Sequence, residues 1–292
     1  MHAPHTIALR HRPPLVLGRR ALVMGILNVT PDSFSDGGSH DSVADALAHA
    51  RLMLADGADI LDIGGESTRP GAAPVAVDEE LARVIPVITA IRAAGIAAPI
   101  SIDTMKPEVA ERALAAGADI VNDVNGLQGA PDMARLAHRH GAPVVAMHWD
   151  RSWTAATDPM PAMLGWFERT LAIAASAGLP AAGVILDPGF GFSKTLQQNY
   201  TILRQLPQLT QAFPAQPLLI GTSRKSMIGR LLDNQPHERL AGTLATTALA
   251  YGGGGHIFRV HDVKPNSDAL RVAEATLYGP SGPDELENRH GN

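Results

Sequence analysis

The 292-residue sequence contains no cysteine and few aromatic residues. Without cysteine, neither a disulfide framework nor a thiolate metal site can form, and the redox state of the compartment stays open. Aromatic residues make up 4% of the chain, whereas hydrophobic residues make up 45%. The core therefore has to be built mainly from Val, Ile, Leu and Ala, which suits buried parallel strands flanked by helices.

The chain also lacks an excess of basic residues and a long apolar run. Its formal net charge is −5, and it has no basic stripe, which argues against a nucleic-acid partner. Residues 1–20 contain no continuous apolar segment, so they do not predict a signal peptide. The longest uncharged stretch, residues 170–186, is interrupted by glycine and proline, which argues against a membrane span. We therefore expect a cytoplasmic protein with no membrane partner.

Short apolar runs alternate with longer segments of helical pattern along most of the chain. Predicted strands cover residues 22–28, 60–63, 99–103, 120–122, 143–147, 184–187, 218–221 and 256–260. Predicted helices cover residues 42–55, 77–94, 107–116, 131–140, 161–177, 196–212, 237–251 and 267–278. Eight strand–helix units predict an α/β fold of the (β/α)8 TIM-barrel type, which needs about 250 residues. A doubly wound open sheet is the alternative, and it is less favoured because no G-x-G-x-x-G follows the first strand.

The predicted barrel occupies residues 21–280. Residues 1–20 form an N-terminal extension with a possible β-hairpin, its turn at residues 12–14, and residues 281–292 form a C-terminal tail. Two helices are followed by a glycine and then a strand, at Gly57 and Gly117. This pattern is typical of a left-handed glycine that ends a helix.

Almost every predicted strand ends in a polar residue. The set is Asn28, Asp62, Asp103, Asn122, His148, Asp187, Ser223, Arg259 and His261. A single strand-end Asp or Asn often caps the next helix or loop. In a barrel, however, the carboxyl ends of all strands converge on one mouth, so the whole set predicts a shared binding site.

Two long loops are predicted at this mouth. The loop at residues 28–38 is polar and has Phe34 at its tip, which favours a lid or a ligand contact over a plain surface loop. Asn28 offers a neutral oxygen that suits a Mg²⁺ ion keeping most of its waters. The loop at residues 62–71 combines glycines with Glu66 and Arg69, as expected of a loop that closes on an anion. Glu66 and Arg69 pairing with each other is the alternative.

Three strand ends supply hydrogen-bond acceptors: Asp103, Asn122 and Asp187. Burying them together is costly without partners, so they predict a ligand rich in N–H donors, such as an amino-pyrimidinone ring. A carboxylate pair for acid–base or metal chemistry is the alternative. The run DPGFGF at residues 187–192 adds glycines that let a ring approach the backbone.

Anion-binding groups follow the last two strands. Residues 221–226 open a helix, and Lys225 and Ser226 reinforce the preference of a helix start for a phosphate or carboxylate. Arg259 and His261 alternate to the same side of an extended segment, which predicts a diphosphate clamp.

Together these motifs resemble those of the dihydropteroate synthase family. The matching runs are MGILNVTPDSFSDGG (24–38), DIGGESTRPGA (62–72), SIDT (101–104), NDV (122–124), MH (147–148), DPGFGFSK (187–194), GTSRKS (221–226) and RVHDV (259–263). They occur in the family's order and span nearly the whole barrel. One stretch departs from the commonest family pattern, because WDRSW at residues 149–153 replaces a glycine-containing loop.

The resemblance implies that the enzyme joins 4-aminobenzoate to (7,8-dihydropterin-6-yl)methyl diphosphate in folate biosynthesis, through an SN1-like substitution assisted by Mg²⁺. It also implies a homodimer and competitive inhibition by sulfonamides. The implied pterin residues are Asp103, Asn122, Met147, Asp187, Gly191 and Lys225. The implied diphosphate residues are Asn28, which also contacts the metal, Arg259 and His261. The implied 4-aminobenzoate residues are Phe34, Thr68, Pro70, Phe190, Lys225 and Ser226. The implied catalytic residues are Asn28, Thr68, Arg69, Lys225, Arg259 and His261.

Two rival interpretations share the pterin acceptors. A pterin-binding methyltransferase barrel has no need of Arg259, His261 and the Thr68–Arg69 loop, so their presence disfavours it. A catalytically silent relative would have lost loop or diphosphate residues, and none is missing here.

Overall fold

The chain begins with a two-stranded antiparallel hairpin. The computed structural model describes residues 2–29, 39–67 and 73–280. Strands β1 (His5–Leu9) and β2 (Arg12–Leu17) pair antiparallel. The turn lies at residues 10–11, so the predicted turn at residues 12–14 is wrong. Those residues open β2 instead, because a hairpin strand tolerates proline where its backbone needs no N–H donor.

A parallel sheet of eight strands follows, each strand separated from the next by at least one helix. The strands are β3 (Leu22–Asn28), β4 (Ile60–Gly64), β5 (Ile100–Asp103), β6 (Ile120–Asp123), β7 (Val144–Met147), β8 (Val184–Asp187), β9 (Leu219–Ile220) and β10 (Ile257–Val260). The helices are α1 (Ser39–Ala55), α2 (Val77–Ala93), α3 (Pro107–Ala116), α4 (Pro131–His140), α5 (Pro159–Ser176), α6 (Leu196–Ala212), α7 (Ser226–Leu232), α8 (Leu240–Gly252) and α9 (Val263–Tyr278).

The sheet closes into a barrel, as predicted. Its strand order is β8-β7-β6-β5-β4-β3-β10-β9, and a parallel bridge from Leu186 to Leu218 joins the two ends. The fold is therefore a (β/α)8 TIM barrel with an N-terminal hairpin, and the doubly wound alternative is wrong. None of the helices in the described ranges is long and apolar enough to cross a membrane.

The predicted and observed helices differ most after β9. The short helix α7 begins at Ser226, as predicted from the helix start at residues 221–226, but its extent was not predicted. Helix α8 begins at Leu240 rather than at residue 237, where there is a 3-10 turn. Helix α9 begins at Val263, ahead of the predicted residue 267. Pro265 lies in its first turn, where the missing N–H breaks no helical hydrogen bond. Gly57 and Gly117 take φ angles of 102° and 114°, so both predicted glycine helix ends are confirmed.

Alternate strand residues point into the barrel and divide its interior into layers. The lower layer is apolar, and the hairpin closes it from below. Its members are Ile7, Leu9, Leu15, Leu17, Leu22, Met24, Ile60, Ile120, Val145, Ile185, Leu219 and Ile257. Strand residues of the opposite parity, such as Leu61 and Val121, pack outward in the cluster that also contains the helices' apolar side chains.

Candidate active site

A polar layer lies directly above the apolar layer of the barrel. Most of its members stand two residues after an interior apolar residue, as Asp62 follows Ile60 and Asp187 follows Ile185. The layer comprises Asp62, Asp103, Asn122, Met147, Asp187 and Arg259. Because side chains two apart on a strand share a face, the strand register itself brings these groups together at the mouth.

Arg259 lies at the centre of this layer, between two carboxylates. Its Nε donates to Asp62 Oδ2 at 2.6 Å, and its Nη2 donates to Asp103 Oδ2 at 2.6 Å. The Arg259 side chain is 20% exposed, and its partial burial opposes its charge, but the two carboxylates outweigh burial and raise its pKa. Burial raises the pKa of Asp103 to about 7, with Asp62 adding to the shift and Arg259 opposing it.

Asp103 retains an unused acceptor. Its Oδ1 is buried and has no hydrogen-bond partner within the described residues. Nearby, Asn122 Nδ2 lies 3.3 Å from both carboxylate oxygens of Asp62, which directs the amide nitrogen towards that side chain. A buried acceptor without a donor is unfavourable, so the layer is suited to a ligand that brings N–H groups.

Asp187 ends β8 and organises the loop after it. Its Oδ1 accepts from the Gly189 backbone N–H at 2.7 Å, and burial raises its pKa. Gly189 has a φ of 66°, and a Cβ at this position would lie 2.1 Å from the His148 carbonyl oxygen. Only glycine fits there. Gly221 faces the barrel interior beside Asp187. A Cβ at this position would lie 4.0 Å from Asp187 Oδ2, so the glycine leaves space next to the carboxylate.

Lys225 lies against the same loop. Its Nζ is 4.3 Å from the centroid of the Phe192 ring, within the range of a cation–π contact. A Cβ added to Gly191 would lie 3.3 Å from Lys225 Cδ, so this glycine gives the lysine stem room. Met147, Val124 and Phe192 form a small apolar cluster at the mouth.

Two residues of the predicted site do not reach the mouth. Phe190 is 1% exposed and belongs to the main core cluster, so the structure does not place it where the 4-aminobenzoate was expected; Phe192 takes the position at the mouth. His148 is fully buried between the Trp153, Trp166 and Phe167 rings, because the strand alternation points Met147 inward and His148 outward.

In the structure, Arg259 and His261 of the predicted clamp contact different side chains. The Arg259 guanidinium binds the two carboxylates, whereas His261 Nδ1 lies 3.1 Å from Ser223 Oγ. Ser226 is exposed at the first position of α7. Asn28 is half-buried at the end of β3, beside Gly64 of β4.

Several predicted residues lie outside the described ranges. They are Phe34, Thr68, Arg69 and Pro70. Glu66, at the start of the second loop, accepts from Lys106 Nζ at 2.6 Å and from the Val75 backbone N–H at 3.0 Å.

Lys194 was not predicted from the sequence, and its ammonium group is hydrogen-bonded to two loops. It is buried, and its Nζ donates to the carbonyl oxygens of Gly189 at 2.8 Å, Phe192 at 3.2 Å and His148 at 3.3 Å. Burial lowers its pKa to about 7. Its position directly after the GFGFS run at residues 189–193 was the feature of the sequence that could have indicated a role at the site.

The atypical fifth loop also contributes to the site. Trp153 Nε1 donates to Gln198 Oε1 at 3.0 Å, and Gln198 belongs to the capping box that begins α6. The Trp149 ring lies 5.2 Å from the Phe192 ring, edge to face, with Arg151 4.1 Å above it. The WDRSW stretch is therefore anchored at one end and reaches the mouth at the other.

The residues at the barrel mouth suit a magnesium ion that binds together with a phosphorylated substrate. Within the described residues no three His, Asp or Glu side chains cluster as they would around a resident metal. Asn28 supplies a neutral oxygen at the mouth, and Mg²⁺ commonly takes most of its ligands from substrate phosphates and water.

Comparison with known proteins agrees with this geometry. A family model described as "Pterin binding enzyme" matches residues 24–261, and the chain belongs to this family. The chain is 47% identical to the dihydropteroate synthase of Bacillus subtilis over 94% of its own length and 97% of that protein.

Two solved structures are also similar to this chain in fold and in sequence. The dihydropteroate synthase of Clostridium difficile, solved with pteroic acid, has a TM-score of 0.85 and 46% identity, covering 90% of this chain and 98% of that one. The dihydropteroate synthase of Xanthomonas albilineans, solved with 4-aminobenzoic acid, has a TM-score of 0.85 and 44% identity, covering 91% and 96%. The motif resemblance to the dihydropteroate synthases, which are transferases, is thereby confirmed.

Proposed function

We propose that the protein condenses (7,8-dihydropterin-6-yl)methyl diphosphate with 4-aminobenzoate to give 7,8-dihydropteroate and diphosphate, a step of tetrahydrofolate biosynthesis. The observation that carries this proposal is the cluster of acceptors at the barrel mouth, formed by Asp103, Asn122 and Asp187. Two related enzymes, one solved in the presence of pteroic acid and the other with 4-aminobenzoic acid, support the same pair of substrates.

The pterin ring matches the polar layer in hydrogen-bonding character. Its pyrimidinone half carries N–H donors, which the unused Asp103 Oδ1 and the Oδ2 of Asp187 can accept. Met147, in the apolar cluster with Phe192, offers a ring face an apolar surface. Lys225, held over Phe192, is a donor for a ring carbonyl or nitrogen.

The 4-aminobenzoate binds on the opposite side of Lys225 in this proposal. Phe192 takes the part that Phe190 was expected to play, because it is Phe192 that reaches the mouth. Ser226 at the start of α7 offers a hydroxyl to the carboxylate. The remaining proposed contacts, from Phe34, Thr68 and Pro70, lie outside the described residues.

The chemistry needs no covalent nucleophile. The bond between the pterin methylene carbon and the bridging oxygen breaks first, and its electron pair leaves with the diphosphate. The electron-rich pterin stabilises the cationic methylene that remains. The aminobenzoate nitrogen then adds to this carbon and loses a proton. Acceptors that hold the ring rigidly lower the entropic cost of aligning the two reactants.

Diphosphate release is the role proposed for Asn28, Arg259 and His261, and for Arg69, which lies outside the described residues. A pterin that donates to Asp103 competes with Arg259 for that carboxylate, which frees one arm of the guanidinium for the leaving group. Asn28 would hold Mg²⁺ together with the diphosphate, and the bound ion would supply positive charge that neutralises the leaving group.

The proposal is tested by incubating the purified protein with both substrates and Mg²⁺ and following dihydropteroate by liquid chromatography. Omission of either substrate should abolish the product, and EDTA should suppress it. Absence of product with all components present would contradict the proposal.

We also propose that the protein is a homodimer, as the family resemblance implies. Exposed leucines on α7 and α8 support this, because Leu231, Leu232 and Leu249 are each more than half exposed. Sedimentation at micromolar concentration should give twice the chain mass, and a monomer would contradict the proposal.

A further inference from the structure

We propose that Asp62 is a positioning residue, which orients the Asn122 amide and the Arg259 guanidinium so that the barrel mouth presents acceptors to the pterin. The inference rests on the proposed function, because the ligand it concerns is the pterin. Asp62 belongs to the predicted set of strand-end residues, but the family resemblance assigns it no contact with a substrate.

The contacts of Asp62 are all directed at other site residues. Its side chain is fully buried, and it accepts from Arg259 Nε at 2.6 Å and approaches Asn122 Nδ2 at 3.3 Å through both oxygens. No other side chain within the described residues donates to it. Because Asp62 is fully buried, it can affect ligand binding through Asn122 and Arg259 but not through contact with solvent.

The amide of Asn122 can take two orientations that differ only in which atom faces Asp62. One end of an asparagine amide accepts hydrogen bonds and the other donates them. An ionised carboxylate accepts only, so Asp62 admits the orientation with Nδ2 towards it. Because the amide is planar, Oδ1 of Asn122 is then directed away from Asp62, and Asn122 becomes an acceptor for the ligand.

Asp62 also determines how Arg259 is shared. The guanidinium donates from Nε to Asp62 and from Nη2 to Asp103, so one cation is hydrogen-bonded to two carboxylates. With Nε held by Asp62, Arg259 can release Asp103 to a pterin without losing its place in the layer. Without the Asp62 charge, Arg259 would bind Asp103 alone and compete more strongly with the ligand.

Asp62→Asn separates these effects from simple packing, because it keeps the size of the side chain. The new amide can donate to Asn122 Oδ1, which turns the Asn122 amide so that its donor end faces the pterin. We expect the Kd for 6-hydroxymethylpterin, measured by calorimetry, to rise about tenfold, because one hydrogen bond from the ring is lost and a donor then faces the ring N–H. The KM for 4-aminobenzoate should change less than about threefold.

A charge-conserving swap distinguishes orientation from structure. In the double variant Asp62→Asn/Asn122→Asp, the residue at 122 is an acceptor in every rotamer, and the residue at 62 can donate to it. We expect the swap to bring the Kd back to within about threefold of the original chain. If Asp62 only supported the fold, the second substitution would give no recovery.

Asp119 provides a matched control at the other end of the barrel. It is also a buried carboxylate between two arginines, accepting from Arg12 Nε at 3.0 Å and from Arg92 Nη2 at 2.7 Å. Asp119→Asn should lower the melting temperature but leave the pterin Kd unchanged.

The outcomes separate this inference from the proposed function. If the original chain binds 6-hydroxymethylpterin and Asp62→Asn binds it equally well, the inference is wrong and the proposed function stands. If the original chain does not bind it, both are wrong. If Asp62→Asn does not fold, the double variant alone decides: a Kd within about threefold supports the inference, and a loss of more than about tenfold overturns it.

Discussion

Replacing Asp187 with asparagine should weaken pterin binding while leaving the barrel intact. The carboxylate uses Oδ1 to accept from the Gly189 N–H at 2.7 Å, and this contact holds the loop after β8. An asparagine can make the same contact with its carbonyl oxygen. That contact would then direct the NH2 group towards the pterin, so an acceptor for ring N–H donors is replaced by a donor.

The size of the effect follows from the interaction lost. A hydrogen bond to a charged group contributes about 1.5–3 kcal/mol, which corresponds to roughly a 10- to 150-fold rise in Kd. We expect the upper half of this range, because the new donor also opposes the ring N–H. Calorimetric titration with 6-hydroxymethylpterin measures the change directly.

Asp123 supplies the control for this prediction. It is likewise buried at the end of a strand and accepts backbone N–H bonds from its own loop, from Asn125 at 2.9 Å and Leu127 at 2.8 Å. Its side chain points outward from the barrel. Asp123→Asn should leave the Kd unchanged, and a Kd for Asp187→Asn within about threefold of the original chain would show that Asp187 is not a pterin acceptor.

Three further predictions follow from the site. Pterin affinity should rise with pH through about 7, because burial raises the pKa of Asp103 and its ionised form offers two acceptor oxygens, whereas the protonated form replaces one of them with an O–H donor; calorimetry should show no such step in Asp103→Asn, which leaves Lys194, with a pKa also about 7, in place. Gly189→Ala should cost at least about 2 kcal/mol and lower the melting temperature by about 4–8 °C, whereas Gly18→Ala, with open space around it, should change it by less than about 1 °C. Sulfonamides should raise the apparent KM for 4-aminobenzoate without lowering kcat, and inhibition that persists at saturating 4-aminobenzoate would contradict a shared site.

Much of the fold was accessible from the sequence, because the signals are local. An apolar run followed by a polar residue marks both a barrel strand and its carboxyl end, as in Ile185 followed by Asp187. Asp103, Asn122 and Asp187 lie at the carboxyl ends of their strands and therefore in one layer of the barrel. The predicted shared acceptor site depends on this arrangement. Gly57 and Gly117 marked helix ends because an unstrained left-handed residue is nearly always glycine.

The failures concern choices that local patterns leave undecided. Met147 and His148 are adjacent, and only the strand register shows that Met147 points inward. Phe190 and Phe192 each follow a glycine with positive φ, and the path of that loop decides which ring reaches Lys225. The partners of Arg259 depend on side chains from three strands far apart in sequence, so no motif reveals that it binds Asp62 and Asp103.

In the proposed reaction, the pterin methylene group is transferred to the aminobenzoate nitrogen and the diphosphate departs intact. Substrate labelled with ¹⁸O at the oxygen between methylene and phosphorus shows which bond breaks. We predict dihydropteroate and diphosphate in equal amounts, with all of the label in the diphosphate by mass spectrometry. Label recovered as hydroxymethylpterin, or diphosphate formed without dihydropteroate, would contradict it.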